Sequence, residues 1–285
     1  MLLVLINILF VSQLSNAQKL IKPPIMRPEW TKDYGPFRIA GNLYYVGTYD
    51  LASYLITTPK GDILINTGLP GSETMIRQHV EKLGFKFSDI RILLATHAHY
   101  DHVGAMAAIK KMTGAKLEIN EKDAPVLADG GNSDYAFGGK GSTFPPVKAD
   151  VLLHEHDTVK LGGMQIVALH HPGHTKGACS FLFTVNDGHK SYRVIIANMP
   201  SVLDETNLKG MPTYPDVAKD YAKTFAAMKK VQFDLYLASH ASQFDLQKKH
   251  KPGDAYRPEA FIDRKGYDTM LDDLHAKYLK KLNGK

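Results

Sequence analysis

Apolar positions in the first third of the chain come in short β-branched and aromatic runs, without helical spacing. Tyr44 to Val46, Ser53 to Thr58 and Ile63 to Asn66 are such runs, and Pro59, Lys60 and Gly61 make the turn between the last two. The region from Gly41 to Thr67 therefore predicts sheet strands. The period then changes: Ser72 offers an N-cap to an amphipathic stretch from Glu73 to Leu83, which Gly84 ends. Strand character returns at Ile90 to Ala95. Its segment Arg91-Ile92-Leu93-Leu94-Ala95 is apolar without alternation, as expected of a strand covered on both faces. Such a strand delivers the next residues to a carboxyl end. Here these are Thr96-His97-Ala98-His99-Tyr100-Asp101-His102, before a helical run from Val103 to Met112 with Gly114 at its end.

A strand at Lys116 to Ile119 and a short helix near Ala124 to Ala128 lead into a glycine-rich stretch, Gly130 to Pro146, that contains Tyr135, Phe137 and Phe144. It is too long for an ordinary connection and too aromatic for a linker, so it is a candidate wall for a site. The second half repeats the alternation. Strands at Thr158 to Leu161 and Met164 to Leu169 are joined by Gly162 and Gly163, and strands at Ser180 to Val185 and Tyr192 to Ile196 by Asn186, Asp187 and Gly188. A helix from Asp216 to Lys230, a strand from Leu235 to Ala238 and a terminal helix from about Glu259 to Leu282 complete the pattern. Strands in the middle of each half with helices outside predict an α/β protein of two α/β layers packed face to face.

Composition narrows the class. A chain of 285 residues with 44% hydrophobic content supports one globular domain, read as residues 18–285. Residues 1–17 read as a signal peptide. They carry no charged side chain, hold an apolar run from Leu2 to Val11 too short to span a bilayer, and end in Ser15, Asn16 and Ala17. A buried N-terminal helix is the competing reading, and the unpatterned polar stretch from Gln18 to Lys32 disfavours it. With no cysteine near the cleavage point a lipoprotein anchor is not expected, and export to the periplasm or the medium is. Cys179 is the one cysteine, so no internal disulfide forms; its neighbours Ala178, Ser180 and Phe181 make it a buried strand thiol. The net charge of +6 is spread along the chain, so a nucleic-acid partner is not expected. The basic tracts Gln247 to Lys251 and Lys277 to Lys285 read as solvated ends of loops or helices.

The chemistry is concentrated in one loop. His97, His99, Asp101 and His102 fall within six residues at a strand exit, where alternate extended residues converge and a helix start fixes the last two. Imidazole and carboxylate suit Zn²⁺. Two further histidines occupy strand-end loops of the second half: His174 in Pro172-Gly173-His174-Thr175 and His240 in Ala238-Ser239-His240-Ala241. Six candidate ligands exceed what one tetrahedral ion uses, and a closed structural zinc would more often recruit cysteine. Two ions with open positions fit better. His154, His156 and His170 read as loop residues, and His171 as a supporting contact to the site.

The pattern His-x-His-x-Asp-His, followed by Gly-His-Thr and a later lone histidine, resembles the metallo-β-lactamase superfamily, whose αβ/βα four-layer sandwich it implies. The likeness is strongest to subclass B3 β-lactamases of the GOB-type branch, through Pro36-Phe37-Arg38-Ile39-Ala40-Gly41-Asn42, Tyr44-Tyr45-Val46-Gly47-Thr48 and His170-His171-Pro172-Gly173-His174. The resemblance implies that His97, His99 and His174 hold one zinc and Asp101, His102 and His240 the other. It implies hydrolysis of a β-lactam amide by water that the ions activate, with Asp101 orienting that water and Ser201 contacting the substrate carboxylate directly or through water. A small-molecule substrate and a monomer are the corresponding expectations.

Glyoxalase II, lactonases and phosphodiesterases of the fold bridge their metals with an aspartate at a later strand end. Here that strand, Val194-Ile195-Ile196-Ala197, runs into Asn198-Met199-Pro200-Ser201, with no carboxylate. A lactone or thioester hydrolase is thereby the second reading, and a non-catalytic secreted metal-binding protein the third. Three departures stand out: His97 where the GOB-type branch has glutamine, which implies an ordinary three-histidine centre, Asn66 in place of a common aspartate, and Met199 in place of a common serine.

Overall fold

A computed structural model describes residues 20–21, 27–138, 140 and 143–284, and the leader expected at 1–17 lies outside them. The early runs of β-branched residues form a meander in which β1 (Phe37–Ala40), β2 (Leu43–Tyr45), β3 (Tyr54–Ile56) and β4 (Asp62–Ile65) pair antiparallel in sequence order. From β4 the sheet continues in parallel through β5 (Ile90–Leu94), β6 (Lys116–Asn120) and β7 (Val151–Leu153). Parallel neighbours need crossovers, which α1 (Glu73–Lys82) and the pair α2 (Tyr100–Val103) and α3 (Met106–Thr113) supply; α4 (Ala124–Ala128) follows β6.

The second sheet, in the order β12-β11-β10-β9-β8, is antiparallel from β8 (Thr158–Leu161) through β9 (Met164–His170) and β10 (Cys179–Asp187) to β11 (Lys190–Ala197). After α5 (Val217–Met228), β12 (Leu235–Ala238) joins β11 in parallel, and α6 (Leu246–Lys249) and α7 (Arg264–Leu282) close the chain.

Residue-by-residue alternation separates the layers. In β4 and β5, Leu64 and Leu93 pack outward with Ile76 and Val80 of α1 and with Met106 and Ile109 of α3. Their neighbours Ile63, Ile65, Ile92 and Leu94 join the cluster that holds the second sheet, with Phe181, Val194 and Ile196, and the outer helices, with Phe225 and Leu271. The central strands of both sheets are thus covered on both faces, with exposed positions toward the edges and strand ends, and the arrangement is the expected αβ/βα four-layer sandwich. Cys179 is buried at the head of β10, as its neighbours suggest. Among the described residues no helix is long and apolar enough to cross a membrane.

Several boundaries differ from the sequence reading. The single helix expected from Val103 is broken at Gly104, whose backbone N–H donates to Gly68 O at 2.9 Å. A Cβ there would sit 2.3 Å from Pro70 N, so this contact needs glycine. Ser72 has helical backbone angles and makes no side-chain cap. The β10–β11 ladder extends through Asn186↔Ser191 and Asp187↔Lys190, which leaves Gly188 and His189 as the turn. Residues 258–261 form a separate short turn of 3₁₀ helix, and α7 starts later, where Asp263 accepts a hydrogen bond from Gly266 N. Strands β1 and β7 are additional.

Candidate metal centre

The site forms where strands end. His97 follows β5 by three residues, His174 lies in the loop after β9, and His240 is the second residue after β12. Asp101 and His102 sit on α2, a single helical turn that begins beside His99. A polar network ties these ends together. Asn66, in the left-handed region at φ 60°, accepts from Thr96 N at 2.9 Å with its Oδ1, and its Nδ2 donates to Thr96 Oγ1 at 3.1 Å. Ser239 Oγ also donates to Thr96 Oγ1, at 3.0 Å. The residues immediately before His97 and His240 are therefore joined directly. Cys179 N donates to Thr96 O at 2.7 Å, which links the two sheets at the same level.

All six expected ligands meet in one pocket. The ring centres of His97 and His99 are 4.7 Å apart, those of His97 and His174 4.7 Å, and those of His99 and His174 4.9 Å. One trio of donor atoms, from His97, His99 and His174, lies within 4.8 Å of one another, and a second trio comes from His97, Asp101 and His102. His240 closes on the second group: its Nε2 is 3.4 Å from Asp101 Oδ2, and its ring is 4.9 Å from that of His102.

Donor chemistry fits a metal. His97 Nε2 and both ring nitrogens of His102 are buried without a hydrogen-bond partner, a costly state that bound cations would relieve. Burial, reinforced by the neighbouring imidazoles, holds His97 well below its ordinary pKa, and burial with His99 holds His174 down at about 3. Both are neutral at pH 7, the form that ligates. Burial alone would raise Asp101, but His102 and His240 outweigh it and keep the carboxylate ionised. Burial likewise opposes charge on His240, yet its bonds to Asp101 and Asp50 push it up to about 9.

The other nitrogen of several ligands is held by an oxygen. His174 Nδ1 donates to Ser201 O at 2.8 Å, His99 Nε2 lies 3.3 Å from Asp134 Oδ2, and His240 Nδ1 lies 3.2 Å from Asp50 Oδ2. These contacts aim His174 Nε2, His99 Nδ1 and His240 Nε2 inward. Ser201 is half-buried, with its hydroxyl 3.2 Å from His174 Nδ1. His171 bonds Ser180 Oγ at 2.8 Å. The glycine-rich stretch does reach the site: Phe137 lies 5.1 Å from the His99 ring, and Tyr135 donates to Gly173 O at 2.9 Å.

Sequence reasoning missed three carboxylates. Asp50 and Asp134 support imidazoles from loops with no periodic signal. Asp123 stands where a cap for α4 would be expected, ahead of Pro125, but makes no cap. Instead it accepts from Ala98 N at 2.9 Å, Thr175 Oγ1 at 2.7 Å and Gly177 N at 2.7 Å, clipping the His97–His102 loop to the His174 loop.

The family description "Metallo-beta-lactamase superfamily" matches residues 48–187. Among solved structures, a β-lactamase from Chitinophaga pinensis is 64% identical over 93% of this chain and all of its own, with a TM-score of 0.91. The class B3 di-zinc metallo-β-lactamase LRA-12 from an Alaskan soil metagenome is 59% identical over 92% of this chain and 100% of that one, TM-score 0.89. The metallo-β-lactamase GOB-18 from Elizabethkingia meningoseptica is 52% identical over 94% of this chain and 100% of that one, TM-score 0.92. The match to the first two curated relatives spans only 63% and 61% of their length.

Proposed function

The chain belongs to the metallo-β-lactamase superfamily, and from that we propose that it is a class B3 metallo-β-lactamase, a zinc-dependent hydrolase of the β-lactam amide bond. The observation that carries the reading is the ligand arrangement: a three-imidazole centre beside Asp101, His102 and His240, with buried Asn198 and no carboxylate at the end of β11. The absent carboxylate sets this chain apart from the lactone and thioester hydrolases of the fold.

In this reading His97, His99 and His174 hold one zinc, and Asp101, His102 and His240 the other. When bound, zinc supplies Lewis acidity toward a carbonyl and makes water acidic enough to ionise near neutral pH. The chain's own residues do the rest. Asp101, buried and ionised beside His102 and His240, accepts a hydrogen bond from the attacking water and orients it. Ser201 presents its hydroxyl beside His174 to the substrate carboxylate. Phe137 places an apolar ring beside His99. No protein nucleophile is required. Export to the periplasm and a monomeric state complete the proposal.

The test is hydrolysis of nitrocefin, a penicillin, a carbapenem, an acyl-homoserine lactone and a thioester, with and without EDTA. We expect β-lactam turnover that the chelator abolishes and added zinc restores, and that His102→Ala removes while the circular dichroism spectrum stays native. Turnover indifferent to EDTA, or confined to the lactone or thioester, would overturn it.

A further inference from the structure

Asp50 lies in the loop between β2 and β3, 7% exposed, and its two oxygens are met by N–H groups and by the Ser242 hydroxyl. Oδ1 accepts from Ser242 N at 3.0 Å, while Oδ2 accepts from Trp30 Nε1 at 3.1 Å and lies 3.2 Å from His240 Nδ1. The backbone around it is equally fixed. Asp50 N donates to Glu29 O at 3.1 Å, Ala241 N to Asp50 O at 2.6 Å, and Ala52 N to Ser239 O at 3.1 Å. Three segments distant in sequence, around residues 30, 50 and 240, are thus laced about one carboxylate.

This donor set dictates the protonation of the imidazole. An ionised carboxylate only accepts, so His240 Nδ1 must carry the proton at this contact. The lone pair of a neutral His240 is then on Nε2, which points at Asp101 and His102. Trp30 also packs its ring 6.4 Å from His240 and 6.0 Å from Tyr100, which limits rotation of the imidazole. Asp134 stands in the same relation to His99, with its Oδ2 3.3 Å from Nε2. Each half of the pocket therefore has one imidazole backed by its own carboxylate.

We propose that Asp50, anchored by the Trp30 indole N–H and Ser242 N, is the positioning residue of the second metal centre, holding His240 in the tautomer and orientation that ligates. The proposal rests on the zinc-hydrolase reading above. An amide cannot replace the carboxylate, because in Asp50→Asn either flip of the side chain turns its NH₂ toward at least one of the three donors. Trp30→Phe keeps an aromatic ring and removes the N–H, leaving Oδ2 with one partner fewer.

The experiment measures zinc stoichiometry and the two stepwise affinities by competition with a chromophoric chelator, for the intact protein and for Asp50→Asn, Trp30→Phe and Asp134→Asn. Melting temperature in EDTA is recorded alongside. Loss of such an outer partner typically lowers metal affinity 10- to 100-fold. Asp50→Asn should lower the affinity of one ion by roughly that factor and leave the other unchanged. Trp30→Phe should weaken the same ion less, and Asp134→Asn should weaken the opposite one. Two ions bound by Asp50→Asn as tightly as by the parent would overturn the assignment. So would equal loss of both ions together with a lowered melting temperature in EDTA, the mark of a merely structural role. Should Asp50→Asn fail to fold, Trp30→Phe decides: selective weakening supports the proposal and unchanged binding overturns it. A parent protein that binds no zinc would instead remove the reading of the site itself, and this inference with it.

Discussion

Replacing Asp123 by alanine removes the acceptor for three buried donors at once: Ala98 N, Thr175 Oγ1 and Gly177 N. Asp123 is 1% exposed, so water does not reach these groups without the loops parting. Each donor stranded in this way costs about 1–3 kcal/mol. Part of that is offset because the burial of the carboxyl, which raises its pKa, is itself unfavourable. A net loss of about 3–5 kcal/mol follows. For a domain of this size that is a fall of about 5–10 °C in melting temperature. Asparagine keeps an acceptor for Ala98 and Thr175 but turns an NH₂ toward Gly177 N, so Asp123→Asn should lose less than the alanine variant.

The assay is thermal unfolding by circular dichroism in EDTA, so that bound metal does not mask the difference, repeated with saturating zinc. Zinc stabilises only a fold that presents its ligands. The increment in melting temperature on adding zinc should therefore also shrink in Asp123→Ala, because Ala98 lies between His97 and His99 and Thr175 follows His174. An Asp123→Ala protein that melts in EDTA at the parent temperature would refute the claim that this carboxylate holds the two ligand loops together.

Two further outcomes test the packing of the first sheet and its helices. Burial lifts the Asp62 carboxyl to about 6, above its value of about 4 in an unfolded chain. Its contribution is therefore intact below about pH 4 and is lost as the pH rises through 6, so Asp62→Asn should gain stability over the parent at pH 8 and almost none at pH 4. Denaturant titrations at the two pH values check this, and a gap that does not change with pH contradicts it. In Gly104→Ala the new Cβ meets the backbone of Pro70 and Leu69 at 2.3 and 2.4 Å, where no flexible side chain can yield. We expect a loss of about 1–3 kcal/mol or more and reduced zinc content, since α2 must move with it; melting and metal analysis at parental values would contradict the contact.

The features legible in the chain alone divide from the rest along a physical line. The ligands announce themselves because metal coordination needs particular side chains at strand ends, and both requirements leave marks in the sequence: an apolar β5 runs straight into His97, and glycine precedes His174. The sheets were legible for the same reason, since residues such as Leu64 and Leu93 must face one layer and Ile63 and Ile92 the other. Short edge strands carry no such constraint. Two of the three residues of β7 are exposed, and a three-residue run is too short to show an alternation.

The supporting carboxylates were illegible for a deeper reason. Asp50, Asp123 and Asp134 reach the site through partners between 20 and 192 residues away, so their local sequence does not record that task. Asn66 shows the intermediate case. As a substitution for a common aspartate it is visible in the sequence, but its purpose appears only when β4, β5 and β12 are laid side by side and its amide is found to both give to and take from Thr96. A neutral amide suits that double role, since an ionised carboxylate could not donate. The identity of the metal-binding side chains is therefore a local property of this chain, whereas their aim is set by contacts between segments far apart in sequence that meet only in the folded protein.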